Sequence, residues 1–184
     1  NRHNIIQNLG GLSPLDPYGL FPIYPPNGSN FAVKLGSDLN FPGSNYPEAR
    51  AERITYIVNV PLNASDFSLT YQYAVVFQDP GHVPQNQPRF NVNLFDPLTN
   101  ANVPCGFVEY VADSTIPGFE RSRRDPNVWY KAWAPVFINL SKYAGQTLYL
   151  QFTTEDCAQG GHWGYAYVDV NGCDLTVKAK NSCE

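Results

Sequence analysis

Hydrophobic and polar residues alternate with a period of two along several stretches of the chain. In the clearest stretch, residues 67–78, one side consists of hydrophobic residues and the other is mainly polar; the hydrophobic side comprises Phe67, Leu69, Tyr71, Tyr73, Val75 and Phe77. A period of two over this length predicts a β-strand and excludes an amphipathic helix. The aromatic side of this strand is therefore expected to face the core.

Eight further segments have the length and pattern of strands. They are Phe31–Leu35, Glu52–Val60, Arg89–Asp96, Phe107–Val111, Val136–Asn139, Thr147–Thr153, Gly164–Val170 and Leu175–Lys178. Turn clusters such as Asp79-Pro80-Gly81 and Asp125-Pro126-Asn127 separate them, and only 141–143 suggests a helical turn. The pattern predicts an all-β fold, an antiparallel two-sheet β-sandwich, with a jelly roll as the favoured topology.

The length of 184 residues predicts a single jelly-roll domain spanning 1–184. Residues 1–30 are rich in Pro and Gly but also contain Tyr18, Phe21 and Tyr24, so they are expected to form an irregular segment packed on the sandwich. Residues 174–184 are expected to supply a C-terminal strand and tail. Because no Met or apolar leader begins the sequence, we interpret it as a mature or excised piece of a longer chain that has other domains.

Charge and hydropathy limit the partners. The net charge of −4 argues against nucleic acid, whose binding needs a dense basic surface, and it suits a bound cation. No apolar run approaches the roughly 20 residues that a membrane-spanning helix requires, so membrane insertion is not expected.

Four cysteines, Cys105, Cys157, Cys173 and Cys183, are present. Their even number favours two disulfides and an oxidising compartment, so a secreted or cell-surface location is expected. Three pairings are possible, and we favour Cys105–Cys157 with Cys173–Cys183 because the second pair flanks a plausible terminal turn. Free buried thiols are the alternative. No CxxC pair occurs and no His lies at metal-site spacing from a cysteine, which argues against zinc.

Six segments occur together in order: 16–22, 31–36, 51–56, 71–82, 87–90 and 160–169, which include Asp16-Pro17-Tyr18-Gly19 and Gly160-Gly161-His162-Trp163-Gly164. They resemble a domain of large secreted multi-domain surface proteins of Bacteroidota. Those bacterial proteins often carry PKD-like modules and gliding-motility or type IX secretion sorting tails. More distantly, 167–170 is similar to the last strand of carbohydrate-binding modules and MAM-like jelly rolls. The resemblance implies an adhesive or glycan-binding role.

The resemblance also implies a structural calcium ion, since an acidic residue on the last strand of such jelly rolls often helps to hold one. Asp169 is in that position. Ca²⁺ takes six to eight oxygen ligands from separate loops, and Glu52, Asp38 and Asn30 lie in segments expected nearby. The alternative is that these are solvated residues at strand ends.

Two further groups of residues are candidates for ligand contact. The loop between two strong strands carries Asp79, His82 and Arg89, and recognition residues often lie on such loops. An aromatic set could stack on sugar rings; it comprises Trp129, Tyr130, Trp133, His162, Trp163, Tyr165 and Tyr167. The alternatives are an ordinary hairpin connection and aromatic core packing.

No motif for an activated nucleophile or a hydrolytic metal occurs, and no pair of acids stands out, so no catalytic residues are predicted. The sequence predicts a non-catalytic, secreted binding or adhesion module, calcium-stabilised, with a glycan or another surface ligand as its partner. The alternative is a structural or protein-binding module without glycan affinity, and a hydrolase domain is less favoured.

Overall fold

The computed structural model describes residues 3–38, 49–63 and 65–174, with residues 172–174 described by backbone alone. Ten strands and two single-turn 3₁₀ helices, Pro84–Asn86 and Ser141–Tyr143, occur in these residues. The strands are β1 (His3–Gln7), β2 (Phe31–Gly36), β3 (Ala51–Asn59), β4 (Ser68–Gln78), β5 (Arg89–Phe95), β6 (Asn102–Val111), β7 (Glu120–Arg121), β8 (Val128–Asn139), β9 (Thr147–Glu155) and β10 (Gly164–Asp174).

The strands form two antiparallel sheets. One has six strands in the order β1-β2-β10-β4-β8-β7, and the other has four in the order β3-β9-β5-β6. The sheets pack as a jelly-roll sandwich, as the sequence predicts. No described helix is long and apolar enough to cross a bilayer.

The main core lies between the two sheets. The hydrophobic side of β4 faces it as predicted, and Tyr71, Val75 and Phe77 have no exposed surface. The four-stranded sheet contributes the alternate residues of β5 and β9, which include Phe90, Leu150 and Phe152. The two-residue period therefore sets which residues of β4, β5 and β9 face the main core.

Some strand bounds differ from the prediction. β8 begins at Val128 rather than 136 and so includes Trp129, Tyr130 and Trp133. β6 begins at Asn102, and it contains a register shift with the left-handed residue Cys105 (φ 58°), which interrupts the pattern. The predicted strand Leu175–Lys178 lies outside the described residues, and so does most of the predicted C-terminal segment 174–184.

A second hydrophobic cluster lies on the outer face of the six-stranded sheet. Residues 15–23, here called the N-terminal cover, pack on it. Phe21 of the cover is buried against Tyr167, with ring centroids 5.8 Å apart. The indole N–H of Trp133 donates to the carbonyl of Pro22 at 2.8 Å, and the hydroxyl of Ser122 donates to that of Tyr18 at 2.8 Å.

The carboxylate of Asp16 fastens the cover to the sheet. Asp16 has no exposed surface, and it accepts four hydrogen bonds. Two come from the cover itself, from the backbone N–H groups of Tyr18 (2.9 Å) and Gly19 (2.7 Å). Two come from the sheet, from the hydroxyls of Tyr165 (2.8 Å) and Tyr167 (2.9 Å). A buried carboxylate is tolerated because these donors replace water.

Lys34 adds a positive charge beneath the same carboxylate. Its Nζ lies 3.8 Å from the ring centroid of Tyr165, within cation–π range. Burial lowers the pKa of Lys34, and the negative charges of Asp38 and Asp16 partly oppose that shift.

We predict that Asp16→Ala destabilises the protein by about 3 kcal/mol or more, because two tyrosine hydroxyls and two backbone donors lose their acceptor inside the protein. Urea unfolding followed by tryptophan fluorescence measures the change. Asp113→Ala is the matched control: Asp113 is an exposed loop acid bonded to Thr115, and its loss should cost less than about 1 kcal/mol. Equal effects of the two substitutions would contradict the role given to Asp16.

Stability should fall as the pH rises above about 10. The pKa values of Tyr165 and Tyr167 are raised by burial first and then by the charge of Asp16, while Tyr71 and Tyr73 are raised chiefly by burial. Above pH ~10 the unfolded tyrosines lose protons that the folded ones keep, so each such tyrosine lowers the free energy of unfolding by about 1.4 kcal/mol per pH unit. Lys34 has a lowered pKa, so it changes the free energy of unfolding with pH in the opposite direction, but it is one group against several tyrosines.

Urea midpoints between pH 8 and 11 test this dependence. Tyr167→Phe should start from lower stability at pH 8, because it loses a hydrogen bond to Asp16, and then decline less steeply than the wild type. Parallel declines in the two proteins would show that Tyr167 is not a source of the alkaline sensitivity.

Candidate functional site

The predicted aromatic platform is largely interior. Trp163 is 4% exposed and Tyr165 has no exposed surface, because both lie beneath the N-terminal cover. Their rings stack on each other at 5.6 Å, and Tyr18 of the cover contacts Trp163 at 4.9 Å. These two predicted ligand contacts are therefore placed where a surface ligand does not reach. The cause lies in the tertiary structure: the main core buries one face of β10 and the N-terminal cover buries the other.

Trp129 and Tyr130 lie on β8 near one edge of the six-stranded sheet, beside the short edge strand β7, and are half-buried. The hydroxyl of Tyr130 donates to Glu120 at 2.8 Å, and burial, followed by Glu120, raises its pKa. The guanidinium carbon of Arg121 lies 6.0 Å from the Trp129 ring. The structure does not join these residues with Trp163 and Tyr165 into one exposed platform.

The outer face of the four-stranded sheet, here called the polar face, is uncovered by any described segment. It comprises the outward residues of the four strands: Arg53, Thr55, Ile57, Arg89, Asn91, Asn93, Phe95, Phe107, Glu109, Tyr149, Gln151, Thr153 and Glu155. They point outward because the residues between them, such as Val92 and Leu150, fill the core.

Strand register arranges the polar face in rows. One row runs Arg53–Thr153–Asn91–Glu109, and the next runs Thr55–Gln151–Asn93–Phe107. A third places Ile57 beside Tyr149 and Phe95. With strands about 4.8 Å apart, each complete row spans roughly 14 Å. The polar face thus presents amides and hydroxyls between aromatic side chains on a rigid support.

The two central asparagines have unpaired side-chain oxygens. The Oδ1 atoms of Asn91 and Asn93 are shielded and accept no hydrogen bond within the described part of the chain. The neighbouring groups are partly paired: Gln151 Nε2 donates to Thr55 Oγ1 at 3.1 Å, and Arg53 Nε donates to Thr153 Oγ1 at 3.1 Å. Strand register fixes the backbone positions of these asparagines. If their side chains rotate outward, the unpaired oxygens are available to an external hydrogen-bonding ligand.

Hydrophobic side chains of the polar face remain in contact with solvent. Phe107, opposite Asn93, is 55% exposed, and Ile57 is 63% exposed. Tyr149 is half-buried against Phe95, with ring centroids 6.0 Å apart. A flat aromatic group beside hydrogen-bonding amides suits a ligand that has both apolar and polar faces.

The charges of the polar face balance. Arg89 forms ion pairs with Glu109 (3.7 Å) and Glu155 (3.6 Å), and the remaining described charge is Arg53. Two arginines and two glutamates leave the face without a strong field of either sign. The arrangement therefore favours an uncharged ligand.

The predicted loop residues Asp79, His82 and Arg89 serve different contacts. The carboxylate of Asp79 accepts from the N–H of Gly81 (2.9 Å) and from Gln87 Nε2 (2.6 Å), which holds its own loop. Arg89 belongs to β5 and the polar face. His82 lies beside His162, with ring centroids 5.2 Å apart, so the structure brings these two predicted residues together at one end of the sandwich.

The four predicted calcium ligands do not come together. Asp169 accepts hydrogen bonds from Asn27 Nδ2 (2.7 Å) and from Ser29 Oγ (3.0 Å). The pairs Tyr165–Gly36 and Val168–Val33 place Asp38 at the opposite end of the β2–β10 pair from Asp169 and Asn30. Glu52 is in the other sheet, opposite Thr154. A calcium ion itself stays a prediction.

The favoured disulfide Cys105–Cys157 is wrong, because Cys157 is a buried free thiol. The reason is topological: Cys157 follows β9 at the end of the sandwich near His82. Cys105 is disulfide-bonded. The side chains of Cys173 and Cys183 lie outside the described residues; with Cys105 disulfide-bonded and Cys157 free, the pairing predicted for them is not supported.

Alternation along β3, β5 and β9 predicts that their polar residues face outward, but it assigns them no function. The available signal was the repetition of Asn91 and Asn93 between core residues, with Gln151 and Tyr149 in a neighbouring strand of the same pattern. Which strands are neighbours is set by the topology, and no local pattern reveals it.

Comparison with known proteins gives few relatives. No family model and no curated protein matches the chain. Among solved structures, the chain is similar to TmCBM61, described in complex with beta-1,4-galactotriose, at 12% identity and a TM-score of 0.35, covering 78% of this chain and 72% of that one. The predicted membership of a Bacteroidota surface-protein family stays a prediction.

Proposed function

We propose that this chain is a non-catalytic carbohydrate-binding module whose polar face binds a neutral glycan. The observation that carries the proposal is the central row Thr55–Gln151–Asn93–Phe107, in which amide side chains at fixed backbone positions lie beside an exposed aromatic ring. A pyranose ring offers hydroxyls at its rim and C–H groups on its faces. Amides bond the hydroxyls while the ring of Phe107 packs on a C–H face.

The charge balance of the polar face narrows the substrate class. Both glutamates contact Arg89 rather than projecting as free acids, so acidic or sulfated glycans find no basic surface here. Neutral hexose polymers fit this chemistry. The same pairing ties Glu109 and Glu155 to structural ion pairs, which supports binding without hydrolysis.

A secreted or cell-surface location accompanies this proposal. The disulfide of Cys105 supports it, since such bonds persist mainly in oxidising compartments. In that setting the module would attach a longer surface protein to glycans, in the adhesive role expected from the sequence. A structural calcium ion remains part of the proposal, although the structure does not gather the four predicted ligands.

We predict that Asn93→Ala, Gln151→Ala and Phe107→Ala each weaken glycan binding about tenfold or more, equivalent to about 1.4 kcal/mol. A glycan array selects the ligand, and affinity electrophoresis or calorimetry measures its dissociation constant. Phe137→Ala is the matched control, because Phe137 is a 45%-exposed phenylalanine on the outer face of the other sheet. Binding that is lost equally in the control would contradict the polar face as the site.

Absence of binding across neutral glycans, with the protein folded, would instead support a structural or protein-binding module.

Repeating the assay with a calcium chelator tests the calcium prediction separately, since loss of a structural ion lowers Tm even where no glycan binds. Reducing-sugar release from the bound glycan would contradict the non-catalytic assignment.

Ionic strength provides another prediction. Binding to a neutral glycan should change less than about twofold between ~0.05 and ~0.5 M NaCl, because salt screens charge–charge attraction and leaves neutral hydrogen bonds and stacking largely unaffected. A steep loss of affinity with salt would point to an acidic polysaccharide and away from the polar face as described.

A further inference from the structure

Three side chains that can ligate a transition metal converge at one end of the sandwich. His82 lies in the loop between β4 and β5, while Cys157 and His162 lie in the loop between β9 and β10. One ligand atom from each residue lies within 4.8 Å of the other two. Within the described residues, no other cluster of three or more His, Cys, Asp or Glu side chains meets this spacing.

The distances approach those of a coordinated ion. His82 Nδ1 is 3.2 Å from Cys157 Sγ. In a tetrahedral zinc site with Zn–S near 2.3 Å and Zn–N near 2.0–2.1 Å, an S···N separation of about 3.5 Å is expected. The observed separation is also that of a hydrogen bond, so the pair can hold a proton or a metal ion at the same place.

The environment favours the metal. Cys157 is fully buried, and the Nδ1 atom of His162 is shielded with no hydrogen-bond partner in the described residues. A shielded ring nitrogen without a partner carries a desolvation cost that coordination would remove.

Backbone contacts hold the two loops in place. The N–H of Cys157 donates to the carbonyl of His162 (3.0 Å), and the N–H of Ala158 donates to Asn86 of the other loop (3.1 Å). Gly160 and Gly161 form the turn between the ligands with φ of 75° and 79°, a conformation that favours glycine. The three side chains are therefore set by the framework before any ion arrives.

We propose that His82, Cys157 and His162 bind one Zn²⁺ ion. Sulfur and imidazole are the ligands that zinc prefers, and three protein ligands leave a fourth position for water or another donor. Both histidines are partly exposed, so the ion has a path from solvent. Spacing in the sequence argued against zinc. That prediction overlooked Cys157 and His162, which are five positions apart, and it could not place His82, which is 75 positions from Cys157 and is joined to it only by the fold.

Metal titration of the purified full chain, reduced mildly and free of chelator, tests the proposal. Zn²⁺ should bind at one ion per chain by calorimetry and raise Tm by roughly 5–10 °C at a free concentration about a hundred times Kd. Co²⁺ as a spectroscopic probe should show a thiolate-to-cobalt charge-transfer band and the strong visible bands of a tetrahedral site. Zn²⁺ should also protect Cys157 from alkylation, as measured by peptide mass spectrometry.

Variants separate the site from adventitious binding. Cys157→Ser should abolish the charge-transfer band, and His82→Gln and His162→Gln should each weaken Zn²⁺ binding at least a hundredfold. His82→Gln is the safest of these for folding because His82 is partly exposed, and circular dichroism confirms the folded state. His3→Gln, at an exposed position on β1, is the control and should bind Zn²⁺ like the wild type.

Substoichiometric binding, a cobalt spectrum without the sulfur band, or unchanged affinity in folded His82→Gln would each overturn the proposal. Rapid alkylation of Cys157 that Zn²⁺ does not slow would also overturn it, and would point to a thiol–imidazole pair with its own reactivity.

Discussion

The buried carboxylate of Asp16 is the interaction on which the arrangement of surfaces depends. Its four hydrogen bonds fix residues 15–23 on the six-stranded sheet, and Lys34 supplies compensating charge nearby. This cover buries the part of that sheet's outer face around β10, and that part becomes an extension of the core. The four-stranded sheet has no such cover among the described residues, so its outer face is the broad open surface.

This division explains why aromatic residues have opposite roles on the two sheets. Tyr165, Tyr167 and Trp163 pack inward under the cover, where their area stabilises the fold. Phe107 and Ile57 on the polar face have no such cover among the described residues and stay exposed. Residue type alone therefore does not identify a binding platform; the number of layers over each sheet decides it.

The sequence was sufficient for the sandwich and for the residues of β4 and β5 that face the main core, because periodicity along a strand is a local property. It could not show that both faces of β10 are buried, since that depends on Asp16, about 150 positions away. For the same reason the prediction from sequence paired Cys157 with Cys105 and did not connect Cys157 with His82, which lies in a distant loop.

Arg89 is the point where the polar face and the end of the sandwich meet. Its guanidinium contacts Glu109 and Glu155 on the polar face, and it also donates to the carbonyls of Pro84 (2.9 Å) and Gln85 (3.2 Å) in the loop that carries His82. A change at Arg89 would disturb both regions and so could not assign an effect to either. Asn93 of β5 and Phe107 of β6 pair with each other, four positions along β5 from Arg89, and His82 contacts Cys157 and His162 at the end of the sandwich. The two regions are therefore separable by mutation even though one side chain joins them.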